Sequence, residues 1–148
     1  MAGNEEEFGP IDVVVIGYPP GAPMTGEAVP IFLELVDRGI IRVLDALFVR
    51  KDADGTFSGF DLADLDQDTG GDLTAFAGAT TGLLGDDDVA QAAAEIEPGS
   101  AALMIVYENK WAGPFIAAVR RNGGLLISNQ RIGVEDLVEA LEVSEVAT

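Results

Sequence analysis

The chain has 148 residues, 48% of them hydrophobic, and a formal net charge of −18 from 26 acidic residues against 8 basic ones. That is enough apolar material for one buried core, and the charge argues against nucleic acid and anionic membrane surfaces as partners. Cysteine and histidine are both absent, which excludes disulfides, Ser-His-Asp and Cys-His catalysis, and zinc-histidine centres.

Residues 1–10, MAGNEEEFGP, read as a flexible acidic arm in which Glu5, Glu6 and Glu7 repel one another. They hold neither a basic n-region nor an apolar h-region, so no signal peptide and a cytoplasmic location are expected. One domain over 11–148 follows. IDVVVIGY (11–18) is β-branched and almost wholly apolar, which predicts a strand buried at a sheet centre. PPGAPMTG breaks it. Residues 27–38 then place Val29, Phe32, Leu33 and Val36 on one helical face, with Pro30 near the first turn and Gly39 as the C′ residue.

RVLDALFVRKD (42–52) alternates as a strand, with Val43, Asp45, Leu47 and Val49 expected on one face and Leu44, Ala46 and Phe48 on the other. DADG (52–55) is a hairpin turn signal and TFSGFDL (56–62) the returning strand. The acidic connection DLADLDQDTGGD (61–72) leads to a small-residue segment, AFAGATTGLLG (75–85), about half of the roughly 20 residues a bilayer span needs. DDDVAQAAAEIEPG (86–99) predicts a helix with an acidic first turn and a thin stripe of Val89, Ala92, Ala93 and Ile96.

AALMIVYE (101–108) is the second buried strand. It is followed by NKWAGPFIAAVRRNGG (109–124), a helix with Asn109 as N-cap and Trp111, Phe115, Ala118 and Val119 facing inward. LLISNQRI (125–132) reads as the last strand, and VEDLVEAL (134–141) as a closing helix on Val134, Leu137, Val138 and Leu141.

A weak internal repeat runs through these elements: strand, Pro-bearing helix, Gly, strand. Pro30 and Gly39 stand nine apart, as do Pro114 and Gly123. Two βαβ units suggest an α+β fold, a ferredoxin-like split βαβ duplication. Its two most apolar strands would be central, helices would cover one face, and the hairpin and small-residue helices would be an insertion between the halves. An open α/β sheet of another strand order is the competing topology.

In LVDRGIIRVLDALFVRKDADG, LADLDQDTGGDL and EPGSAALMIVYENKWAGPFIAAVRR the chain resembles a family of small acidic bacterial proteins catalogued only as a domain of unknown function. The resemblance runs from about residue 9 to 141. More distantly the chain is similar to a group in which the counterpart of AFAGATTGLLG is a longer glycine-zipper insertion. The resemblance implies no catalytic residues.

Three constellations carry the functional expectations. The acidic turn offers Asp64, Asp66 and Asp68 as ligands for calcium or magnesium. A calcium loop begun at Asp64 has Thr69 where glycine belongs and Ala75 where the closing glutamate belongs, so a solvated turn is the plainer reading. Tyr107, Glu108, Lys110 and Trp111 form the candidate partner-binding surface, since aromatics are enriched at interface centres. Lys51 and Lys110 are the only lysines, expected to pair with the acidic surface rather than to catalyse. The expected function is therefore non-enzymatic: a homo-oligomeric assembly or partner-binding protein. The alternative is a divalent-cation or small-ligand binding module using the 61–72 turn, and no membrane span or resident cofactor is expected.

Overall fold

The computed structural model describes residues 8–23, 27–61 and 81–147, with residues 145–147 as backbone alone. The elements in order are β1 (Ile11–Tyr18), α1 (Ala28–Asp37), β2 (Arg42–Lys51), β3 (Phe57–Asp61), α2 (Asp86–Glu95), β4 (Ala101–Glu108), a 3-10 turn at Lys110–Ala112, α3 (Gly113–Arg121) and α4 (Val134–Ala147). The four strands form one antiparallel sheet in the order β1-β4-β2-β3. Strands that share an antiparallel neighbour run the same way. Thus β1 and β2 are parallel with β4 between them, and β3 and β4 are parallel with β2 between them.

Each local boundary has a chemical cause. The β2–β3 hairpin turns at Gly55, whose φ of 91° is open to glycine at no steric cost, and Asp52 and Thr56 close it through an N–H···O bond of 2.7 Å. Inside that turn the Thr56 hydroxyl and backbone N–H donate to the Asp54 carboxylate, holding its pKa below the usual value of 3.8. Helix α2 starts at Gly85, whose N–H donates to Asp88 Oδ2 at 2.9 Å, and Asp86, Asp87 and Asp88 oppose the positive end of its dipole. At its other end Lys51 Nζ donates to the carbonyls of Ala93 and Ile96 at 2.8 and 3.0 Å. This lysine therefore caps a helix C-terminus and neutralises its partial negative charge.

The core is built on both faces of the sheet. Phe48 and Ala46 of β2 meet Val29, Phe32 and Leu33 of α1, with Leu103 and Phe60 beside them. On the opposite face Val49, Ala102, Met104 and Val106 meet Val89, Ala92 and Ala93 of α2 and Leu84 before it. The expectation that helices cover one face is thus corrected: α1 and α2 lie on opposite faces. The hairpin strand β3 is an integral sheet edge rather than part of an insertion. Of the predicted small-residue segment 75–85, residues 75–80 lie outside the described residues and 81–85 form no helix.

Three further expectations change. Among the described residues strand β1 lies at a sheet edge, bonded to β4 alone, and not at the centre; its apolar run reports two apolar faces, which periodicity cannot convert into a number of neighbours. A bulge between Val43 and Asp45 interrupts the β2 alternation, so Val43 joins the α1 face and Leu44 the α2 face. Asp45 keeps the expected face with Leu47 and Val49 and is buried there, its Oδ2 accepting the Leu84 N–H at 2.8 Å and its Oδ1 the Ala46 N–H at 2.9 Å. Finally, residues 125–132 pair with no strand among the described residues. Their composition is that of a strand, but a ladder needs a neighbour and this segment has none among the described residues.

Candidate functional site

The polar cluster at the start of β1 and the end of β4 gathers most of the candidate surface. The register sets Asp12 beside Tyr107, so both side chains point to the α1 face. Phe32 of α1 meets the Tyr107 ring edge-on, with centroids 6.5 Å apart. Asn109, the expected N-cap, makes no side-chain cap bond. Its amide instead donates to the Pro10 carbonyl and to Asp12 Oδ2, each at 3.0 Å, and its oxygen accepts Trp111 Nε1–H at 3.3 Å. Arg131 completes the cluster from the far end of the chain, 2.8 Å from Asp12 Oδ2 and donating to the Tyr107 hydroxyl at 3.4 Å. The Tyr107 hydroxyl, and then the Asp12 charge, hold the Arg131 pKa above its ordinary value, so it remains a cation throughout.

The four predicted residues therefore part company. Lys110 and Trp111 are exposed, Trp111 at 64%, and Tyr107 is half-buried. Glu108 lies inside: it is 4% exposed, paired with Arg42 at 3.0 Å and accepting the Gly9 N–H at 2.9 Å. Its role is to fasten the chain before β1 to the end of β4, and it presents no recognition surface. Trp111 and Phe115, expected to face inward, are both largely exposed, while Ala118 and Val119 are half-buried. The reason is geometric. Residues 110–112 form a 3-10 turn, which shifts Trp111 out of phase with the α-helix that begins at Gly113.

Sequence reasoning missed Asp12 and Arg131 as members of this cluster. Arg131 stands in an otherwise uncharged segment, NGGLLISNQRIG, and that isolation was the available signal. Nothing local could say that Asp12, 119 residues earlier in the numbering, would lie beside it.

Around this cluster runs an apolar surface. Strand β1 exposes Ile11, Val13 and Val15 on the α2 face, each just over 50% exposed, and Ile16 on the other face. Residues 125–132 expose Leu125, Leu126, Ile127 and Ile132, with Ile127 at 92%. The predicted α4 stripe of Val134, Leu137, Val138 and Leu141 is also exposed. Large exposed apolar areas are a feature of interaction surfaces in proteins.

The remaining candidates are quieter. An open cleft of about 310 Å³ at the other end of the sheet is lined by Tyr18, Pro19, Phe48, Arg50, Lys51 and Gly99 among others. Both of its cations are engaged: Lys51 in the helix cap, and Arg50 over the Phe60 ring at 5.8 Å. Asp64, Asp66 and Asp68 lie outside the described residues, and among the described residues no three acidic side chains form a metal-binding group. Among the described residues no helix is long and apolar enough to cross a membrane.

Comparison with curated proteins and with solved structures finds no match. The model of DUF6325, a family of unknown function, matches residues 7–148, and the chain belongs to that family.

Proposed function

We propose that this protein acts without catalysis, as a homo-oligomeric assembly or partner-binding protein, and that its ferredoxin-like duplication is completed only in the assembly. The observation that carries this reading is the apolar exposure of β1, residues 125–132 and α4. A 14-residue helix is marginal in water on its own, because most helical stability comes from packing an apolar face. An unpaired β-branched edge strand invites association in the same way. Trp111, exposed beside the Asp12–Arg131 pair, supplies the aromatic anchor that interface centres favour. The absence of histidine and cysteine agrees with a role that needs no nucleophile or neutral-pH base.

Light scattering after size exclusion over a wide concentration range tests the reading. The expected mass is a multiple of 15.4 kDa, and Val13→Asp/Val15→Asp should lower it toward one chain. A monomer at every concentration would sink the proposal.

A further inference from the structure

Residues 125–132 and the β1 edge left open among the described residues are equal in length and already meet at one point, the Arg131–Asp12 ion pair. Set Arg131 opposite Asp12 in an antiparallel ladder, and Ile132 falls opposite Ile11 while Leu125 falls opposite Tyr18. Eight residues then cover eight with no overhang. Ile127 comes to lie beside Ile16 on the α1 face, and Ile132 beside Ile11 on the α2 face. A parallel ladder from the same anchor fails at once, because α4 begins at Val134.

The helix closures support a strand at this place. Helix α1 ends in a Schellman motif, with Ile40 N–H to Leu35 O and Gly39 N–H to Val36 O, and β2 begins three residues after that glycine. Helix α3 ends in the same motif, with Gly124 N–H to Val119 O and Gly123 N–H to Arg120 O. Residues 125–132 follow where the first half has a strand. In the register above they run parallel to β4 with β1 between, just as β2 runs parallel to β1 with β4 between.

Resting on the assembly reading, we propose that the strand occupying the β1 edge is residues 125–132 of a second copy, exchanged about a two-fold axis with Asn122, Gly123 and Gly124 as the hinge. Three observations favour a second copy over the chain's own segment. The chain's own arm touches Asp12 yet forms no ladder and leaves Ile127 almost wholly in water. Helix α4 travels with the arm, and the sheet faces over β2 and β4 are already covered by α1 and α2. Residues 109–134 also carry Lys110, Arg120, Arg121 and Arg131 and no acidic residue. In a chain of net charge −18 this stretch is attracted to another copy where most of the surface is repelled. A two-fold exchange satisfies both edges and both arms with one operation.

Sedimentation equilibrium of Asp12→Arg, of Arg131→Asp and of their mixture decides the matter. Each variant alone puts like charges at both contacts and should weaken the dimer about tenfold. In the exchanged dimer the mixture restores opposite charges at both contacts, so equimolar mixing should return the affinity to about that of the wild type. The double variant on one chain, with unchanged circular dichroism, serves as the folding control. If mixing brings no recovery while the wild type is dimeric, the exchange is overturned and the assembly reading stands. A wild type monomeric at all concentrations overturns both. Amide hydrogen exchange gives a second readout: protection of residues 125–132 should rise with protein concentration, and concentration-independent exchange overturns the proposal.

Discussion

Asp45 shows how a single carboxylate can hold two elements together. It is 2% exposed and accepts two backbone N–H groups, one from its own strand and one from Leu84 at the entrance to α2. A buried donor left without a partner costs about 1–3 kcal/mol. Asp45→Ala should therefore destabilise the fold by about 2–4 kcal/mol in urea denaturation, with Asp45→Asn falling between it and the wild type. A loss under about 0.5 kcal/mol would show that water replaces the carboxylate freely. From the sequence, Asp45 looked like one more member of an alternating face. Its partner Leu84 lies 39 residues later, which local pattern does not contain.

Among the elements, the helices and turns were the most legible, because their signals are local. The acidic first turn of α2, the Gly39 and Gly123 closures and the DADG turn all stand at the expected positions. The strands were legible as strands, and their neighbours were not. Gly59 on β3 marks one such hidden contact. A Cβ there would stand 3.0 Å from Val89 Cγ2 and 3.2 Å from Cγ1, so an added methyl would press the Val89 side chain out of its place. Gly59→Ala should cost about 1–3 kcal/mol through overpacking. Adding Val89→Ala should recover part of that loss in a double-mutant cycle, and strict additivity would place the strain elsewhere.

At the scale of the whole molecule, charge opposes compaction. A net charge of −18 repels itself within one chain, and the ion pairs of the described residues are partly exposed: Arg38–Glu34, Arg42–Glu108 and Arg131–Asp12. Raising ionic strength from about 0.01 M to about 0.15 M shortens the screening length from about 30 Å to about 8 Å. The thermal midpoint should rise over that range, since more repulsion than attraction is screened; a falling midpoint would show that the ion pairs dominate.

The candidate surface was half legible. Tyr107, Lys110 and Trp111 are near neighbours in the chain, and the break between strand and helix marked them. The inward turn of Glu108 and the arrival of Asp12 and Arg131 were not visible, because both depend on which chain ends the sheet brings together. By itself the sequence determined the charge, the missing reactive side chains and the helix closures, since these are properties of residues or of bonds within a few positions. The tertiary structure alone decided that, among the described residues, β1 is an edge, α1 and α2 take opposite faces, and residues 125–132 stand outside the sheet. The apolar content of a strand states what it can bury, and only its place in the sheet states what is left to cover it.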